Sequence, residues 1–213
     1  MKICATLFAL TLLSSALCVF GQTGEGPVKT AHPVSYGFVV DNSGSLRKSL
    51  DKAINLVHAV AAKNGEYDEA FVVTFVDSSK TVVRQEFTSN NSELHDAAEN
   101  MFIEGGATAL LDAVRRSLDF LAANAKTDSN RARALLLISD GDDSSSAAKL
   151  ESVVAAAKEA KIRIIVVGLS DEKLNTKLLD RLAKQTGGVA FYPRTLKEMQ
   201  SMIDQIAAAI RGN

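Results

Sequence analysis

Cysteine is nearly missing from this chain: there are two in 213 residues, Cys4 and Cys18, and both lie in an N-terminal apolar run. Beyond that run there is no disulfide framework, no thiolate metal site and no cysteine nucleophile. An excess of charge of one sign is also missing. Lys and Arg number 24 against 25 Asp and Glu, a formal net charge of −1. Nothing in that balance favours nucleic acid or an anionic membrane surface as a partner. Histidine is sparse: His32, His58 and His95 are scattered without ligand spacing and read as structural. A Gly-x-Ser-x-Gly elbow is absent, which together with the histidines argues against a serine hydrolase. Repeats and low-complexity tracts are absent as well.

What is present begins with an export signal. Lys2 precedes an uncharged apolar stretch from Ile3 to Phe20, and Val19-Phe20-Gly21 is compatible with cleavage before Gln22. Residues 1–21 therefore read as a signal peptide, which places the protein outside the cytoplasm, secreted or periplasmic, with no membrane insertion after cleavage. The rival reading is an uncleaved anchor; 18 apolar residues are at the low end, since a span usually needs ~20. Cys18 is not read as a lipidation site, because bulky Leu17 precedes it. Residues 22–33 are Gly-rich and polar and read as a flexible linker. Residues 34–213 are long enough for one domain, which at this size buries roughly 70% of its unfolded surface.

Along that domain, strand and helix patterns alternate. Apolar strands are expected at 34–41, 70–76, 134–139, 162–168 and 189–192. Thr81–Phe87, carrying Arg84, Gln85 and Glu86, reads as a solvated edge strand joined to its predecessor by a short hairpin. Helices are expected at 46–63, 92–100, 109–123, 147–160, 174–186 and 196–211. In the first, Leu50, Ile54, Val57 and Ala61 fall on one face. In the last, Thr195 and Glu198 form a capping-box pair, and Met199, Ile203, Ile206 and Ile210 make a stripe. Strands apolar on both faces belong in a parallel sheet covered by helices. The fold class is α/β: a doubly wound, Rossmann-like, mostly parallel sheet of about six strands with one antiparallel edge strand and helices on both faces. Ligands of such folds sit beyond the carboxyl ends of the strands, where strand order reverses.

Three loops reach that edge. One reads Asp41-Asn42-Ser43-Gly44-Ser45, one Gly105-Gly106-Ala107-Thr108, and one Ser139-Asp140-Gly141-Asp142-Asp143. They offer two carboxylates and three hydroxyls, hard oxygen donors that select Mg2+, Ca2+ or Mn2+. Asn42 and Gly44 are expected to let the first loop turn tightly, and Gly105 and Gly106 to let the threonine loop approach closely. A helix beginning near Leu46 would aim its partly positive end at this site, a tension that the carboxylates must outweigh.

Asp-x-Ser-x-Ser after a first apolar strand, a Gly-Gly-x-Thr-x-Leu loop and a later Ser-Asp-Gly resemble the von Willebrand factor type A domain, over about Val34 to Arg211. The resemblance implies a metal-ion-dependent adhesion site at Asp41, Ser43, Ser45, Thr108 and Asp140, holding Mg2+ or a similar cation. It implies that Ser43 and Ser45 ligate directly, Thr108 directly or through water, and Asp41 and Asp140 mostly through waters and hydrogen bonds. The last coordination position would go to an Asp or Glu of a protein partner. Such a first shell leaves the ion much of its charge, which is what attracts that carboxylate. The family also implies that the C-terminal helix can move with the metal loops.

Rival readings stand beside this one. A haloacid-dehalogenase-like phosphotransferase using Asp41 would need a carboxylate where Ser43 stands. A metal-free scaffold is the third reading. Ser45 and Thr108, each taken singly, could merely cap a helix, and Asp140-Gly141 could be only a turn. Asp140, Asp142, Ser144 and Glu151 match an EF-hand-like spacing, but Ser145 replaces its glycine and a strand precedes it. Asp142 and Asp143 read as a solvated rim. Asn90-Asn91-Ser92 is a glycosylation sequon only in a eukaryotic secretory pathway. Met199 and Met202 read as core. Composition does not reveal the oligomeric state.

Overall fold

The computed structural model describes residues 32–170 and 174–212. The expected signal peptide and all but the last two residues of the expected linker lie outside that range. Six strands form one sheet in the order β3-β2-β1-β4-β5-β6. They are β1 (Val34–Asp41), β2 (Glu69–Phe75), β3 (Thr81–Thr88), β4 (Ala132–Ser139), β5 (Arg163–Gly168) and β6 (Ala190–Phe191). β3 alone is antiparallel, and it sits at the edge as expected. The fold class read from the sequence is the one observed.

The helices are α1 (Leu50–Ala61), α2 (Asn91–Glu99), α3 (Leu110–Asn124), α4 (Leu150–Glu159), α5 (Thr176–Gln185) and α6 (Leu196–Arg211). Strand alternation splits the core in two. Tyr36, Phe38 and Val40 of β1 pack with α1, α2 and α6 on one face, where Met199 also lies and Met202 packs against it. Val39, with Phe71, Val73 and Phe75 of β2, packs with α3, α4 and α5 on the other.

Several helix starts differ from expectation, each for a local reason. Residues 44–46 form a 3-10 turn, so α1 begins at Leu50 rather than Leu46. α4 begins at Leu150 rather than Ala147; the amides of Ala147 and Ala148 donate to the Asp112 carboxylate (3.1 and 2.8 Å), which holds the segment ahead of the helix against α3. At α6 the Thr195 hydroxyl accepts from Glu198 N (3.1 Å), but the Glu198 carboxylate reaches back to Arg194 N (2.7 Å) rather than to the capping residue itself.

The C-terminal end of α6 is fixed to the amino end of the sheet. Arg211 Nη2 donates to Asp68 Oδ2 at 2.5 Å and to Lys63 O at 2.8 Å. Asp68 also accepts from Val34 N (2.9 Å) and Gly65 N (2.6 Å). The Asp68 side chain is 3% exposed and that of Arg211 16%. Removing one partner from so dry a pair leaves an uncompensated charge, which costs about 3 kcal/mol or more. Arg211→Ala is thus expected to lower the urea midpoint without changing the slope, and to lower Tm by about 6–12 °C. A wild-type midpoint in that variant would show the pair to be energetically idle.

Candidate functional site

β1 and β4 are neighbours, while β2 and β5 lie outside them, so strand order reverses between β1 and β4. Asp41 ends one strand and Ser139-Asp140 follows the other, at the crevice where ligands of such sheets bind. Asp41 is fully buried. Its Oδ1 accepts from Ser43 N (2.9 Å) and its Oδ2 from the Ser139 hydroxyl (2.8 Å). The Ser139 oxygen in turn accepts from Gly141 N at 3.0 Å. The hydroxyls of Ser43 and Ser45 are 3.0 Å apart. Asp140 holds its own loop by accepting from Asp142 N (2.9 Å).

The threonine loop is bound to both of the others. Asn42, 1% exposed, accepts on its carbonyl from Glu104 N (2.9 Å) and donates through Nδ2 to Phe102 O (2.9 Å). The Thr108 carbonyl accepts from Ser144 N and Ser145 N, both at 2.9 Å. Thr108 itself is 4% exposed. The fold therefore places Asp41, Ser43, Ser45, Thr108 and Asp140 on three mutually bonded loops at one sheet edge. A cavity of about 540 Å³ opens beside them, lined by Ser45, Asp140, Asp142, Asn175 and Lys177 among others.

Two glycines have specific reasons to be glycine. Gly141 has φ +82°, and a Cβ there would meet Asn175 O at 2.8 Å. A Cβ on Gly106 would meet Val76 Cγ1 at 2.7 Å and Asp77 Oδ2 at 2.9 Å, so this residue lets the threonine loop lie against the β2–β3 hairpin. The other two expectations differ from what is observed. Gly44 and Gly105 have open space where a Cβ would be, and it is the buried side chain of Asn42, not its tolerance for turns, that matters.

Burial pushes the Asp41 carboxyl up from an ordinary 3.8 to about 6. Hydrogen bonds from Ser43 and Ser139 pull it back, and the neighbouring Asp140 charge raises it. The α-helical part of α1 opens only at Leu50, and the loop carrying Ser43 and Ser45 leads instead into the 3-10 turn Gly44–Leu46.

The EF-hand-like set is pulled apart: Glu151 pairs with Arg181 across 3.1 Å. Among the described residues no group of three or more His, Cys, Asp or Glu is placed to hold a metal. His58 and His95, far apart in sequence, stack at 4.1 Å between α1 and α2. Ser139 and Glu104 were given no role by sequence reasoning, and Asn42 was read only as a turn former. Only the place of Ser139, one residue before the aspartate at a strand end, could have flagged it.

A raised carboxyl pKa means that the folded state holds its proton more tightly than the unfolded chain. Without a bound cation, the Asp41 contribution to stability should therefore fall as pH rises from about 4 through about 6, by up to about 3 kcal/mol, against the opposite contribution of carboxyls held below their ordinary value such as Asp112. Asp41→Asn, assayed by urea unfolding in chelator, should flatten that profile and be 1–3 kcal/mol more stable at pH 7, to order of magnitude. Parallel profiles for the two proteins would contradict the assigned cost of burying Asp41.

A family model described as the von Willebrand factor type A domain matches residues 37–205. No curated protein matches the chain. The structure is similar to the conserved hypothetical protein BatB from Bacteroides thetaiotaomicron, with TM-score 0.69, 18% identity, and coverage of 84% of this chain and 100% of that one. It is also similar to an aerotolerance-related membrane protein from Bacteroides fragilis NCTC 9343 bearing multiple mutations to serines (TM-score 0.64, 20% identity, 82% and 98% covered). A third similarity is to the pilus adhesin SpaC from Lactobacillus rhamnosus GG in its open conformation (TM-score 0.60, 15% identity, 86% and 30% covered).

Proposed function

The chain belongs to the von Willebrand factor type A family, and from that premise we propose that it is an exported, cation-dependent protein-binding module. Domains of this family are generally interaction modules rather than enzymes. The cation would be held by Ser43, Ser45 and Thr108, with Asp41 and Asp140 acting through water. When bound, it supplies one under-neutralised positive charge to an incoming carboxylate.

The observation that carries this reading is the pairing of the two serine hydroxyls beside a buried carboxylate. Adjacent ligands of an octahedral Mg2+ with bonds of about 2.1 Å lie ~3.0 Å apart. That is the Ser43–Ser45 spacing of 3.0 Å. The donors are hard oxygens, as Mg2+, Mn2+ and Ca2+ require. Asp41 supports an outer role, since each of its oxygens already accepts one bond from the protein. Its ionised form is costly where it lies, and a cation would relieve that cost.

This chain's own residues perform the remaining work. Ser139 and Ser43 N orient the Asp41 carboxylate, and Asn42 holds the threonine loop against it. The cavity beside Asp140 leaves room for a partner segment that presents Asp or Glu. The adhesin similarity agrees with such a role. Export rests on Lys2 and the apolar run 3–20. Among the described residues no helix is long and apolar enough to cross a membrane.

The test is a cation titration by thermal unfolding. Mg2+ or Mn2+ at a hundred times its Kd should add about 2.7 kcal/mol of stability, chelator should reverse the gain, and Asp41→Ala and Ser43→Ala should abolish it. Three flat titrations with Mg2+, Mn2+ and Ca2+ would sink the proposal. An esterase or phosphatase screen with Asp41-dependent turnover would replace it with an enzymatic reading.

A further inference from the structure

Phe102 lies on the loop joining α2 to α3, and its ring is 53% exposed. The chain forces it outward. Met101 before it is buried at 5%, and Ile103 after it packs against the same core. With both neighbours turned inward, the residue between them is left on the outside. Other large apolar side chains are exposed, Tyr67 for example. Phe102 differs in where it sits and in how firmly it is held.

Its carbonyl accepts from Asn42 Nδ2 at 2.9 Å, and Asn42 stands between Asp41 and Ser43. The next amide but one, that of Glu104, donates back to the Asn42 carbonyl at 2.9 Å. The backbone of Phe102 is thus bonded directly to the loop carrying the proposed cation ligands. Its ring is held from the other side, with the Arg84 guanidinium carbon 5.1 Å from the ring centroid. Arg84 is itself fixed, with Nε donating to Thr74 Oγ1 at 2.8 Å and Nη2 pairing with Glu104 at 3.3 Å. Val72 pairs with Gln85 and Val73 with Val83, which leaves Arg84 as an extra residue in the ladder. A bulge of this kind re-aims a side chain, and here the side chain meets Phe102.

Binding energy concentrates on aromatic anchors whose ordering has been paid in advance. Phe102 has two side-chain torsions, a pinned backbone and a stacked ring, so little freedom remains to be lost. Its charged neighbours, Arg84 and Glu104, neutralise each other, so covering the ring strands no unmatched charge. We infer that Phe102 is the apolar anchor of the cation-binding edge. The partner it fits is a protein segment with a large apolar side chain within a few residues of the Asp or Glu that meets the ion. This rests on the cation-dependent reading and adds to it a determinant of partner choice.

The experiment pans a seven-residue display library with a fixed central Asp on the Mg2+-loaded full chain. Wild type should enrich Leu, Ile, Phe or Met at one offset from the Asp. The best peptide, made synthetically, should bind Phe102→Ser at least tenfold more weakly and Phe102→Leu within about threefold. Pools panned on Phe102→Ser should lose the apolar preference. An unchanged thermal response to Mg2+ in both variants shows the site to be intact. An apolar preference identical on wild type and Phe102→Ser, or no enrichment on wild type, overturns the inference: Phe102 then only shields Arg84. Binding that survives chelator and replacement of the fixed Asp by Asn sinks the cation-dependent reading instead, whatever Phe102 does.

Discussion

The structure turns on one hydrogen bond between two strand ends. The Ser139 hydroxyl donates to Asp41 Oδ2 at 2.8 Å, joining the last residue of β4 to the last residue of β1 where the winding of the sheet reverses. Each partner is also committed elsewhere, Asp41 to Ser43 N and Ser139 to Gly141 N. The conformations of the first and third loops are therefore not independent. The burial that brings these strand ends together has a cost, since a desolvated carboxylate resists ionisation, and the bond from Ser139 offsets part of it. Carboxyls shifted in this way cluster at functional sites, though structural networks produce them too.

Much of the fold could be read from the sequence because its signals are local and repeated. The run Ala134 to Ser139 is apolar at every position but its last, and only a strand covered on both faces suits it. Arg84, Gln85 and Glu86 in succession mark an edge. Helix starts were less legible, because they depend on contacts distant in sequence. Asp112 binds the amides of Ala147 and Ala148 just ahead of α4, which opens three residues later than expected, and nothing near Ala147 announces this. The 3-10 turn at Gly44–Leu46 likewise follows from how the first loop is bonded, not from propensity.

The candidate site was legible as a set of residue types and as an order of loops, not as a mechanism of assembly. Asp41, Ser43, Ser45 and Asp140 could be named because their loops follow strand ends, where ligands of a doubly wound sheet sit; Thr108 follows a helix, and it was the resemblance to the von Willebrand factor type A domain that grouped it with them. The residues joining the loops could not be named. Asn42 read as a turn former, and it is instead a buried tie whose partners, Phe102 and Glu104, lie some sixty positions away. His58 and His95 had no ligand spacing, and their stacking became visible only once α1 and α2 packed. Polar side chains that act across long separations carry no periodicity, and periodicity is what sequence reading detects.

The direction of β1 has a mechanical meaning. Val34 is at one end of this strand and Asp41 at the other, about 25 Å away for an eight-residue strand. A pull between a partner held at Asp41 and whatever precedes Val34 would run along the strand axis. β1 lies between β2 and β4, in register with seven residues of each. Such a load would pass along the covalent backbone of β1, and the two ladders would hold that strand in place without having to carry the pull themselves. Were a partner held at Asp41 and the chain held ahead of Val34, the tension would run through one continuous central strand.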